Sequence, residues 1–162
     1  MLHLARSAHL AIVGHLLDGM PDEACGLLAG PLRPTADPPS GIDADVRHGS
    51  SRDVRGGSTG ATEATRFYPT ANAAASSRIY TVEPRDHLRA DRDAEDRGLE
   101  ILGVVHSHTH TEPYPSPTDV AQAPDPAWHY VIVSFRTGVA ALRSYRIVDG
   151  SVQEEPVVVV EG

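Results

Sequence analysis

Residues 101–105 (Ile-Leu-Gly-Val-Val) contain no polar side chain and lead directly into His106-Ser107-His108. A short apolar run of this kind reads as a strand buried on both faces. Such a strand needs neighbours along both edges and a packed layer above and below, which points to a sheet flanked by helices. The rest of the chain can be read around it. Leu4, Ala8, Ile12 and Leu16 recur at helical spacing and predict a helix over residues 2–18, stopped near Gly19 and Pro21. The apolar part of residues 21–30 reads as a short buried strand entered through the bent, acidic Pro21-Asp22-Glu23. Residues 79–82 are β-branched and aromatic, hence strand-like. Residues 84–98 alternate arginine with acids and predict a solvated helix ending near Gly98. Residues 120–123 are helical in character until Pro124. Strands are expected over 130–135 and 139–148, joined by a hairpin at Arg136-Thr137-Gly138, with a last strand over 152–160. The expected fold class is α/β: a single domain over residues 1–162 with a mixed central β-sheet flanked by helices. Residues 31–64, rich in Pro, Gly, Ser, Asp and Arg, are expected to form a mobile insertion with room for one short strand.

Composition narrows the function classes. The formal net charge of -8 argues against nonspecific binding to nucleic acid or anionic lipid. No apolar run approaches the roughly 20 residues that cross a bilayer, and the first residues do not read as a signal peptide. The single cysteine, Cys25, forbids an internal disulfide and a multi-cysteine zinc site, and it fits a reducing cytoplasm. All basic residues are arginine, so the chain offers no lysine to an isopeptide modifier.

On an extended segment, residues two apart face the same side. His106 and His108 therefore aim both imidazoles at one point, and Ser107 faces away. Two imidazoles and an aspartate suit Zn²⁺, and three protein ligands with an open position is the pattern of catalytic zinc. Ser116-Pro117-Thr118-Asp119 has the form of a helix start, with Ser as N-cap, Pro at the first helical position and an acid in the first turn. Taken alone it is ordinary capping, His-x-His alone is weak, and Glu23 alone is a surface acid. Together, and following a buried strand, they are far more specific.

At this point the chain resembles the JAMM family of metalloproteases, also called the MPN-plus domain. The family pattern is an upstream Glu, His-Ser/Thr-His, seven residues, Ser, two residues, Asp. Glu23, His106-Ser107-His108, Ser116 and Asp119 match every term. Residues 21–30 resemble the first-motif context of the short prokaryotic branch, which includes peptidases of sulfur-carrier adducts, the CysO-cysteine type. The resemblance implies that His106, His108 and Asp119 bind zinc, that Glu23 is the general base, and that Ser116 stabilises the oxyanion. It implies a partner as well, a ubiquitin-like sulfur carrier protein with a Gly-Gly tail. The amide after its terminal glycine would be cut to free an amino acid such as cysteine, as in cysteine biosynthesis. Residues 70–77 and the insertion are expected to form the groove for that tail. A deubiquitinase-like isopeptidase and a non-catalytic MPN scaffold are the alternatives, although such scaffolds typically lose the ligands kept here. A zinc nucleoside deaminase needs a Pro-Cys-x-x-Cys element and is excluded by the single cysteine. A histidine-rich metal store would show no turnover. A homodimer through the last strands is left open. The chain has Thr109 where relatives often have proline. His110 is read as an exposed loop histidine, and Cys25 as a small buried apolar residue.

Overall fold

The computed structural model describes residues 1–32 and 60–161. The expected insertion at 31–64 falls for the most part outside the described residues, which pick up the chain again just before a short strand. In chain order the elements are β1 (Leu2–Ala5), α1 (Arg6–Asp18), β2 (Cys25–Pro31), β3 (Thr62–Ala64), β4 (Arg66–Thr70), α2 (Pro84–Asp96) and β5 (Leu99–His108), followed by α3 (Pro117–Ala121), β6 (His129–Ser134), β7 (Ala141–Val148), β8 (Ser151–Glu155) and β9 (Val157–Val160).

The long strand β5 lies inside a six-stranded sheet of order β4-β2-β5-β6-β7-β8. It runs antiparallel to β2 and parallel to β6. The other neighbours pair antiparallel, so the sheet is mixed, as expected. Adjacent residues of one strand serve opposite layers. Leu28, Val105, Val131 and Val133 pack with Ile12 and Leu16 of α1 and with Leu2 and Leu4 of β1. Leu27, Val104, Tyr130 and Ile132 pack on the other face with Ala90 of α2. Burying each large aliphatic side chain of this kind contributes about 1.5–3 kcal/mol. These opposed cores explain why β2, β5 and β6 read as unbroken apolar runs. Gly103 sits where β5 meets β6, and a Cβ there would lie 2.0 Å from the His129 carbonyl oxygen. Glycine is what lets the two strands close to pairing distance at the head of the parallel ladder. At the end of α2, Gly98 takes φ +67, the left-handed conformation that stops a helix.

Three expectations are corrected. Residues 2–5 are a strand rather than the first turn of α1. Leu2 and Leu4 alternate inward, and β1 finds parallel partners in β3 and β9, forming a second, three-stranded sheet. Residues 79–82 form no strand; only Val82 bridges to Asn72, and the aromatic side chain of Tyr80 is used against the histidines instead. The last strand is two strands. Pro156, which lacks an N–H, breaks it, and its carbonyl accepts from the Leu2 amide at 2.9 Å. β8 stays in the central sheet while β9 crosses to β1.

Candidate metal centre

β5 carries His106 and His108 to its end, two residues apart and on one face. Ser107 between them faces the other way, where its Oγ accepts from the Ala24 amide at 2.9 Å and its own amide donates to the Ala24 carbonyl at 3.0 Å. The chain then loops to α3, which begins as its sequence predicts. Ser116 is the N-cap, Pro117 follows it, and Asp119 completes a capping box. The Ser116 amide donates to Asp119 Oδ2 at 2.7 Å, and the Asp119 amide donates to Ser116 Oγ at 3.1 Å. Capping thus fixes Asp119 twice, its carboxylate through Oδ2 and its backbone through the amide.

The three side chains converge. His106 Nε2 and His108 Nε2 are 3.1 Å apart, and each lies 3.5 Å from Asp119 Oδ2. A tetrahedral ion bound at roughly 2.0–2.1 Å holds its ligand atoms about 3.3–3.4 Å apart. The triangle has the size of one face of that tetrahedron. The donor set fits as well. His108 Nδ1 donates to the Glu112 carbonyl at 2.7 Å, with Thr111 Oγ1 at 3.0 Å, so its hydrogen is on Nδ1 and the Nε2 lone pair faces the shared point. The His106 ring is stacked by Tyr80, centroids 4.1 Å apart and planes at 18°. Its Nδ1 is buried and has no hydrogen-bond partner among the described residues, so no hydrogen bond on that side orients the ring as Glu112 orients His108. The residues therefore fit a divalent cation of the zinc type.

Glu23 lies on the turn before β2. Its amide donates to the Ser76 carbonyl and its carbonyl accepts from Asn72 Nδ2, both at 2.9 Å. The side chain, 6% exposed, lines a cavity of about 310 Å³ together with His108 and Ser116. Burial and the nearby Asp119 charge push its carboxyl up to about 7, with His108 opposing. Asp119 behaves in the opposite way. Burial pushes it up, but hydrogen bonds from His106, His108 and Ser116 outweigh that and hold it far below the usual carboxylate range. Burial drives His106 down. Burial also opposes protonation of His108, but the Asp119 and Glu112 oxygens more than offset it and raise this ring. The centre thus pairs a firmly ionised carboxylate with one poised near neutrality, the division of labour that acid–base chemistry needs.

The structure thus brings Glu23, His106, His108, Ser116 and Asp119 to one place. It leaves Cys25 out of the triangle: the thiol is buried, with Thr70 Oγ1 at 3.3 Å. His110 is exposed on the cavity wall. Sequence reasoning missed Tyr80, whose aromaticity read as strand propensity, and Asn72, which fell within the expected 70–77 groove but was not singled out. It also missed His129. That ring is buried against Glu155 and lies 3.2 Å from Arg146, and no spacing in the sequence signals the pairing.

Comparison with known proteins decides the family. A model of prokaryotic homologs of the JAB domain matches residues 5–148. The chain belongs to the JAB family. The JAMM/MPN assignment expected from the motif is therefore the one found. A CysO-cysteine peptidase of Mycobacterium tuberculosis is 41% identical over 152 residues, covering 93% of this chain and 86% of that protein. A desampylase of Haloferax volcanii is 30% identical over 138 residues, covering 82% and 80%. The solution structure of a protein from Desulfitobacterium hafniense superposes with a TM-score of 0.76 at 28% identity, covering 100% of this chain and 94% of that one. A JAB1/MPN domain protein from Archaeoglobus fulgidus shares the fold, with a TM-score of 0.53 at 16% identity over 97% and 99%. This JAB chain is an enzyme, a hydrolase of the peptidase class.

Proposed function

We propose that this JAB chain is a zinc-dependent peptidase that cuts the amide bond after the C-terminal glycine of a ubiquitin-like sulfur carrier and releases an amino acid such as cysteine. The observation that carries the reading is the convergence of His106 Nε2, His108 Nε2 and Asp119 Oδ2 on one point, with Glu23 and Ser116 on the adjoining cavity wall. His106, His108 and Asp119 are the residues that hold the ion. Zinc bound there lowers the pKa of water toward neutrality and polarises the scissile carbonyl. Glu23, as carboxylate, takes a proton and returns it to the leaving nitrogen, work that suits a carboxyl poised near 7. Ser116 Oγ already accepts from the Asp119 amide, so its O–H proton is left to donate to the developing oxyanion.

The carrier tail is expected to lie extended along residues 70–77, beside β4 at the sheet edge, where backbone pairing supplies affinity. An apolar hollow lined by Leu27, Tyr80, Val82 and Trp128 adjoins His106 through the Tyr80 ring and suits the tail's side chains. The likeness to the CysO-cysteine peptidase supports release of an amino acid. The likeness to the desampylase supports a second reading, an isopeptidase acting on other ubiquitin-like conjugates. The complete donor set argues against a non-catalytic scaffold.

Two substrates separate the readings. One is a Gly-Gly-tailed carrier joined to cysteine through its terminal glycine, and the other is the same carrier joined to a lysine side chain. Mass spectrometry of the zinc-loaded reaction should show free cysteine and the intact Gly-Gly carrier from the first. Turnover of the second alone would replace the lead reading with the isopeptidase.

A further inference from the structure

Glu23 must reach the nitrogen that it protonates, so the leaving group departs on the Glu23 side of the centre. The cavity on that side is distinct from the apolar hollow. It is small, about 310 Å³, and Glu23, Ser77, Arg78, His110 and Ser116 are among the residues that line it. Arg78 is the one cation of fixed charge in that wall. Among the described residues no carboxylate pairs with it, whereas Arg66 and Arg97 both take Asp93, and Arg136 takes Glu112.

The backbone that carries Arg78 is tied to the proposed base. The Arg78 amide donates to Ser76 Oγ at 3.1 Å, and the Ser76 carbonyl accepts from the Glu23 amide at 2.9 Å. Asn72 Nδ2 bridges the Glu23 and Ile79 carbonyls at 2.9 and 3.1 Å, and Asn72 Oδ1 accepts from the Thr81 amide at 2.9 Å. With no carboxylate partner among the described residues, and with its backbone tied to that of Glu23, Arg78 is placed to receive an anion at this cavity. A planar guanidinium matches a carboxylate in two-point geometry.

We propose that Arg78 binds the free α-carboxylate of the leaving amino acid, and so makes this centre selective for a carrier that ends in a single amino acid. The inference rests on the peptidase reading above. A lysine joined through its side chain, within a folded protein, presents no carboxylate at that place. The selectivity therefore comes from the leaving group rather than from the carrier. Ser77 and His110 offer further hydrogen bonds along the same wall.

The test uses the zinc-loaded full chain and two matched substrates, a Gly-Gly-tailed carrier joined to L-cysteine or to L-cysteinamide. A hydrogen-bonded pairing of charged groups accounts for a preference for the free acid of about ten- to a hundredfold in kcat/KM, expected mostly in KM. In Arg78→Ala this ratio should fall close to one, and Arg78→Lys should restore part of it. Metal content and thermal midpoint are measured alongside, and both should stay at the wild-type values because Arg78 is exposed. A ratio near one in the wild type, or one unchanged in Arg78→Ala, overturns the proposal and leaves the carrier reading standing. A wild-type enzyme that releases neither cysteine nor cysteinamide overturns the carrier reading itself, and the proposal with it.

Discussion

Asp119 Oδ2 accepts from the Ser116 amide at 2.7 Å while lying 3.5 Å from both histidine Nε2 atoms. One oxygen thus closes a helix cap and one corner of the metal triangle, so Ser116 is tied to the centre twice, as cap and as oxyanion donor. Ser116→Ala is expected to lower kcat by about 10²–10³ through loss of that donor, and stability by about 1 kcal/mol through loss of the cap. Steady-state kinetics and denaturant titration separate the two effects. Glu23 provides a pH test in metal-free protein. Its folded pKa is raised from 4.5 to about 7, so the native state binds more protons than the unfolded state between those values. Stability from this group is present below the unfolded pKa and is lost as pH rises through 7, by about 3 kcal/mol at most. Metal-free Glu23→Gln should therefore melt higher than wild type at pH 8 and close to it at pH 4. Equal shifts at both pH values would contradict the burial account.

Strand β5 shows why part of this protein was legible in its sequence. It is covered on both faces, so its run of apolar residues needed no tertiary knowledge to read, and period two then aimed His106 and His108 together. α2 and its stop at Gly98, and the N-cap at Ser116, were equally local. Apart from the break at Pro156, which is local, the failures were tertiary. Leu4 fits helical spacing as well as strand alternation, and only the partners β3 and β9, distant in sequence, decide for strand. Tyr80 is strand-like by propensity yet serves as a stacking plate for His106. Glu155 is another such case. Burial pushes its carboxyl up, but the His129 and Ser144 hydrogen bonds and the His129 charge prevail, and it is held at about 2. Its contribution is present above 4.5 and is lost as pH falls through 2. Glu155→Gln should flatten the acid limb of the stability curve between those values, as read by thermal melts. At the β5–β6 junction, Gly103→Ala would place a methyl against the His129 carbonyl. Overpacking there should cost about 1–3 kcal/mol and weaken metal binding, because the displaced strand carries both histidines.

The centre draws on residues from 23 to 119: Glu23 from the turn before β2, Asn72 and Tyr80 from the loop after β4, the histidines from β5 and Asp119 from α3. These residues, far apart in sequence, meet only in the folded sheet, so metal affinity and global folding are linked. A ligand that binds only the native state adds about 4 kcal/mol when present at a thousand times its Kd. Zinc should therefore raise the melting temperature at pH 7.5 and raise it less near pH 5, where the His108 imidazole, whose pKa is raised, takes up a proton. Chelation should reverse the gain, and His108→Ala should abolish it. The most direct test of the central claim measures metal content and carrier-adduct hydrolysis on the same samples of wild type and Glu23→Gln. About one zinc per chain is expected in both, with turnover in the wild type alone. Full hydrolysis by a sample verified to be metal-free, or by Glu23→Gln, would contradict it.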